Sequence, residues 1–175
     1  MLINLSELFT LEGKEKIYNC EIEMAVYHAP GGDYRILSKS PVVLKMLNTG
    51  GKRLDLEGST DLSLEIPCDR CLDPVRKDIH LTFVRTLDLR DPEERDTEDF
   101  EEQPYLDGYS LDVDQLVCDE LILNLPMKVL CREDCKGICN RCGVNLNYET
   151  CDCDTRSLDP RMAVIQDIFK QFKEV

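Results

Sequence analysis

Six of the ten cysteines in this chain lie between residues 131 and 153, at positions 131, 135, 139, 142, 151 and 153. Two more form Cys68-Asp69-Arg70-Cys71. Thiols this crowded constrain a fold more tightly than any hydrophobic pattern, because they must crosslink, share a metal or be buried. They fall into pairs. Cys131 and Cys135 are C-x3-C, Cys139-Asn140-Arg141-Cys142-Gly143 is C-x-x-C-G, and Cys151-Asp152-Cys153 is C-x-C. Cys20 and Cys118 stand alone on apolar faces and read as core residues.

Compartment decides between crosslinks and metal. The opening MLINLSELFTLEGKEK has no basic lead-in and no sustained apolar stretch, so it does not read as a secretion signal. No apolar run approaches the ~18 residues a membrane span needs. These features predict a cytoplasmic protein without membrane association, where thiols stay reduced and clustered cysteines point to metal.

Coordination geometry explains the spacing. Zinc takes four ligands tetrahedrally, and two residues between cysteines let a tight turn aim both sulfurs at one point. Gly143, directly after the second cysteine, allows the positive φ such a turn needs. In C-x-C the two side chains lie on the same side of an extended segment. Cys139, Cys142, Cys151 and Cys153 are therefore the expected first Zn2+ site. Cys68, Cys71, Cys131 and Cys135 would make a second, clipping a strand hairpin to the segment after a helix. An open alternative places Cys135 in the first set and leaves Cys68 and Cys71 as a redox pair or packed thiols. All-cysteine sites are typically closed and structural, whereas catalytic zinc keeps an open position. His28 and His80 lie in no metal-binding spacing. No phosphate loop, nucleophile elbow or paired catalytic carboxylates stand out, so the chain reads as a non-enzyme with no small-molecule substrate.

Around the cysteines, the pattern predicts an α+β fold over 1–175. Residues 1–90 read as an antiparallel β-meander. Tyr18 to Val26 alternates as one strand, Pro30-Gly31-Gly32-Asp33 is a turn, Tyr34 to Leu47 is extended, and Asn48-Thr49-Gly50-Gly51 closes it. Leu62, Leu64 and Ile66 alternate with polar residues, as do Ile79, Leu81, Phe83, Leu87 and Leu89, with Arg85 the one polar interruption. Residues 91–108 are an acidic segment expected to be a flexible loop; 91–107 alone hold nine acidic residues and one Arg. Residues 109–130 contain a helix. Asp112 and Gln115 resemble a capping box, Val113, Leu116, Val117, Leu121, Ile122 and Leu125 form its apolar face, and Pro126 stops it. Residues 131–175 hold the cysteine-rich zinc module and a C-terminal helix, capped by Asp159 with Pro160 at its first position.

The joined motifs LEIPCDRCLDPV (64–75), DELILNLPMKVLC (119–131), DCKGICNRCGVNLN (134–147) and CDCDTRSLDPR (151–161) resemble the bacterial YceD family. The matching positions are Cys68, Arg70, Cys71, Asp119, Glu120, Leu125, Pro126, Cys131, Cys135, Gly137, Cys139, Cys142, Gly143, Asn145, Leu146, Cys151, Cys153, Asp159 and Pro160. The resemblance implies a part in the accumulation of large-subunit (23S) ribosomal RNA, and so in ribosome biogenesis.

Net charge complicates that implication. At −14 the chain as a whole repels phosphate backbones and attracts basic partners. Locally, Lys128, Arg132, Lys136 and Arg141 outnumber Glu133 and Asp134, and Arg70, Arg76 and Lys77 lie by the other cysteine pair. These seven are the candidate contacts to ribosomal RNA or a large-subunit ribosomal protein. Tyr148 is the one aromatic nearby that could stack on a base. The competing expectation is a thiol-redox or metal-responsive regulator.

Overall fold

In the computed structural model, residues 1–90 and 103–153 are described. The chain forms two compact units. One comprises Met1–Pro67 and Pro74–Val129, the other Cys68–Asp73 and Leu130–Val175.

The described residues of the first unit form nine strands and one α-helix: β1 (Leu2–Asn4), β2 (Glu15–Cys20), β3 (Val26–Ala29), β4 (Gly32–Lys39), β5 (Val42–Gly50), β6 (Arg53–Pro67), β7 (Pro74–Asp88), β8 (Leu106–Asp107), β9 (Ser110–Asp112) and α1 (Val113–Asn124). Strands β1, β9 and β8 make a small sheet. The large sheet runs β2-β5-β6-β4-β3, with β7 on the other side of β6. All pairings are antiparallel. Strand β6 is the spine. Its first half pairs β5 (Val43↔Ser59 to Gly50↔Arg53), its second half pairs β4 (Lys39↔Leu62 to Arg35↔Glu65), and β7 follows it from Arg53↔Asp88 to Pro67↔Pro74.

Alternation sets which side chains go inward. On β5, Val42, Leu44, Met46 and Asn48 are buried while Val43, Lys45, Leu47 and Thr49 are exposed. Leu54, Leu56, Leu62, Leu64, Ile66, Ile79, Leu81, Phe83 and Leu87 continue the core from β6 and β7. Buried Asn48 and Glu120 are paired, as their desolvation demands, whereas the buried hydroxyls of Tyr18 and Tyr27 have no hydrogen-bond partner among the described residues. Asn48 donates to the carbonyls of Leu8 and Leu11, each at 3.0 Å, and accepts from Gly50 N at 2.9 Å. Arg85, the polar interruption of its strand pattern, donates Nε to buried Glu120 on α1 at 2.7 Å.

Asp112 caps α1, accepting from the amides of Asp114 and Gln115. The reciprocal half of the capping box is absent, because Gln115 donates to Asp119 instead. Val113, Leu116, Val117 and Leu121 are buried as expected, but Ile122 is 54% exposed.

The expected α+β class is corrected. Among the described residues 48% are strand and 11% helical, so these residues are mostly β with a single α-helix. The expected C-terminal helix over Asp159–Phe172 lies outside the described residues. The error arose from underestimating the strands: β6 and β7 each run 15 residues, well beyond the alternating patches at 62–66 and 79–89. Strand β6 runs through Gly58-Ser59-Thr60, with Gly58 opposite Phe83. A second correction concerns Tyr18 to Val26, expected as one strand. It breaks after Cys20, and the amides of Glu23 and Met24 bond the Asp114 carboxylate instead of a strand.

Candidate metal centres

The second unit is a cysteine module. Two of its turns are near copies of each other. At Cys68 the amide donates to Asp73 O (2.8 Å), and Leu72 N returns to Cys68 O (2.9 Å). At Cys139 the amide donates to Val144 O (2.8 Å), and Gly143 N returns to Cys139 O (2.9 Å). Each C-x-x-C thus forms a knuckle whose closing residue is left-handed: Gly143 at φ 76° and Leu72 at φ 64°. Glycine suits that position; leucine pays for it in steric strain.

The knuckles build two sets of sulfurs. Cys68, Cys71, Cys131 and Cys135 converge, as do Cys139, Cys142, Cys151 and Cys153, with the sulfurs of each set all within 4.8 Å of one another. Four sulfurs at about 2.3 Å from one zinc ion would be spaced by about 3.8 Å. Cys68 to Cys135 is 3.8 Å and Cys71 to Cys131 is 3.5 Å, so the chemistry and spacing of the donors fit a tetrahedral ion. The open alternative for Cys135 is resolved by this geometry: it sits with Cys68, Cys71 and Cys131. All ten cysteines are free of disulfides.

Backbone amides prepare the thiols. Burial alone would raise Cys68, but hydrogen bonds from the main chain at Arg70, Cys131 and Cys71 bring it down to about 6. The main chain at Cys142 and Arg141 does the same for Cys139, also to about 6. Other thiols shift individually: the hydrogen bond with Cys142 pushes Cys153 up to about 12, burial raises Cys131, and Cys135, against the pull of burial, is lowered by hydrogen bonds led by Asn147. A bound dication would favour the thiolate form of all four sulfurs in a set.

Polar residues around the Cys68/Cys71/Cys131/Cys135 set hold it in place. Arg70 donates Nη1 to Cys135 O at 2.7 Å. Asp73 accepts from Cys71 Sγ (3.3 Å), from Asn145 Nδ2 (3.2 and 3.1 Å to its two oxygens) and from Tyr148 OH (3.1 Å). These hydrogen bonds keep the Asp73 carboxyl below its ordinary range, Cys71 first among them. Gly137, at φ 81°, lies so close to the Arg70 carbonyl that a Cβ would meet it at 3.0 Å. Sequence reading missed Asp73 and Asn147. Their only advance signal was position, two residues after Cys71 and inside the loop between Cys142 and Cys151.

The seven candidate contact residues divide between the units. Arg70, Arg132, Lys136 and Arg141 are exposed on the cysteine module. Arg132 also bonds Asn147 O at 3.4 Å. Arg76, Lys77 and Lys128 belong to the strand unit, where Arg76 is engaged with Asp78 and Ser63. Tyr148 is 74% exposed. No helix among the described residues is long and apolar enough to cross a membrane.

Comparison with known proteins adds a family. The family described as Large ribosomal RNA subunit accumulation protein YceD matches residues 56–169, which contain both cysteine sets. An uncharacterized protein of Mycobacterium tuberculosis is 31% identical over 101 residues, 58% of this chain and 48% of the relative. A chloroplastic protein of Arabidopsis thaliana, named as a large ribosomal RNA subunit accumulation protein YCED homolog, is 24% identical over 149 residues, covering 70% of this chain and 46% of the relative. Its Zea mays counterpart is 25% identical over 162 residues, 75% and 55% respectively. The chain spans about half the length of the curated relatives it matches. No solved structure matches it.

Proposed function

The chain belongs to the YceD family of large ribosomal RNA subunit accumulation proteins, and from that premise we propose that it is a non-enzymatic, zinc-stabilised factor of ribosome biogenesis. In this reading it supports accumulation of 23S ribosomal RNA in the cytoplasm by binding pre-ribosomal RNA or a large-subunit ribosomal protein. The observation that carries it is the pair of four-sulfur sets in one module, inside the family-matched region. Zinc bound there supplies rigidity, since four thiolates leave no position open for substrate. The exposed Arg70, Arg132, Lys136 and Arg141 are then displayed on a rigid frame, where local charge can act against the net charge of the chain.

The test is capture of ribosomal particles by tagged protein at several salt concentrations, with Cys139 and Cys142 intact or both replaced by Ser. Enrichment of large-subunit components that is lost in the double variant supports the proposal. Recovery no greater than with an unrelated acidic protein defeats it.

A second reading, a thiol-redox or metal-responsive regulator, draws on the lowered thiols of Cys68 and Cys139. Counting zinc and reactive thiols separates the two. Two zinc ions per chain with unreactive thiols favour the structural role; metal-free protein with a cycling Cys68/Cys71 pair favours the switch.

A further inference from the structure

Asn147 lies in the loop closed by Cys142 and Cys151, yet its contacts reach the Cys68/Cys71/Cys131/Cys135 set. Its Nδ2 donates to Cys135 Sγ at 3.3 Å and to Asn145 Oδ1 at 2.9 Å. Its Oδ1 accepts the amide of Lys136, next to Cys135, at 2.8 Å. Asn145, two residues earlier in the same loop, holds Asp73 beside Cys71, and Tyr148 holds the same carboxylate. The main chain adds Leu146 N to Gly137 O at 2.9 Å and a bridge between Ile138 and Asn145. One loop is therefore gripped at its ends by one cysteine set while its side chains brace the other.

We propose that the two four-cysteine sites bind metal cooperatively, and that Asn147 is the positioning residue that couples them. The inference rests on the reading of both sets as metal sites. A divalent ion among four thiolates leaves the site with a net charge of −2, which N–H donors to sulfur disperse. At Cys135 one such donor comes from a loop that the other site must order. Metal in the Cys139/Cys142/Cys151/Cys153 site holds that loop and presents the Asn147 amide to Cys135. The site that fills first bears the ordering cost, so the second binds more tightly than it would alone.

The test uses the full, reduced chain, with zinc affinities measured by chelator competition and stoichiometry by native mass spectrometry. With Cys139 and Cys142 replaced by Ser, the affinity of the remaining site should fall about tenfold or more, the usual effect of losing a supporting hydrogen bond around a metal ligand. Emptying the other site with Cys68→Ser and Cys71→Ser should weaken its partner by the same factor, because coupling is reciprocal. Asn147→Leu should weaken the Cys68/Cys71/Cys131/Cys135 site by about 10- to 100-fold in the otherwise unaltered chain. It should add little once Cys139 and Cys142 are gone, a non-additivity that general loosening of the loop does not produce. Asn147→Ser, a smaller change, should reproduce the loss if Leu disturbs the loop. If two metals bind but emptying either site changes the other less than twofold, the coupling is wrong. It is equally wrong if Asn147→Leu costs as much without the second site as with it. If the folded, reduced protein binds no metal, the metal reading fails and takes this inference with it.

Discussion

Stripping metal from the fully reduced protein should unfold the cysteine module and leave the strand unit standing. The reason lies in what each unit buries. The strand unit has a continuous core from Ile3 to Val129. Among the described residues of the module, the buried apolar side chains are Cys68, Cys71, Cys135 and Cys139, all four of them candidate ligands. Leu72 is 64% exposed and Ile138 39% exposed, so neither anchors a core. Fixing each residue's backbone costs on the order of 1–2 kcal/mol, and each fully buried aliphatic side chain would return about 1.5–3 kcal/mol. Here that return is missing and metal must supply it. Free zinc at 1,000 times its dissociation constant stabilises a site by about 4.1 kcal/mol, roughly a thousandfold in the folded-to-unfolded ratio. Hydrogen exchange with and without chelator reads this directly. The amides of Ile138, Cys139, Gly143 and Leu146, each bonded within the module, should lose about three orders of magnitude of protection on chelation. Amides paired between β6 and β7 should keep theirs. Unchanged protection across 130–153 in metal-free, reduced protein would refute the reasoning.

Three further outcomes are expected. Gly58→Ala puts a Cβ within 2.2 Å of the buried Phe83 ring, so urea unfolding should show a loss of about 1–3 kcal/mol, reduced when Phe83 is shortened to Leu. Leu72→Gly relieves a left-handed strain, so the zinc-loaded module should gain about 1 kcal/mol in chelator-resisted thermal unfolding; a loss would mean the Leu72 side chain supports the module. Arg90 beside Asp88 holds that carboxyl down at about 2, against an ordinary 3.8. Its stabilisation, about 2 kcal/mol, is therefore complete above pH ~4 and lost as the pH falls toward 2. Urea midpoints of the native chain and Asp88→Asn should differ at pH 5 and converge near pH 2; a constant gap would count against it.

The candidate ligands were readable because cysteine spacing is local chemistry. A C-x-x-C pair followed by a left-handed residue builds a knuckle from six consecutive residues, and the structure forms it twice. The Pro30-Gly31-Gly32-Asp33 turn and the Asp112 cap were legible for the same reason: each is governed by neighbours in sequence. Strand length was not. The run from Tyr34 to Leu47 instead divides into β4 and β5 across Ser40-Pro41. At Gly58, β6 is continued by pairing with Phe83, 25 positions along the chain. The break after Cys20 likewise depends on Asp114 on α1.

What the sequence determined alone is which atoms could bind a metal, because ligand type and spacing are written along the chain. Tertiary structure decided how they are shared. It put Cys135 with Cys68, divided the basic residues between two units, and brought Asn147 from one cysteine loop to the sulfur of the other. Those outcomes depend on contacts between residues far apart in sequence, and no local pattern encodes such a contact.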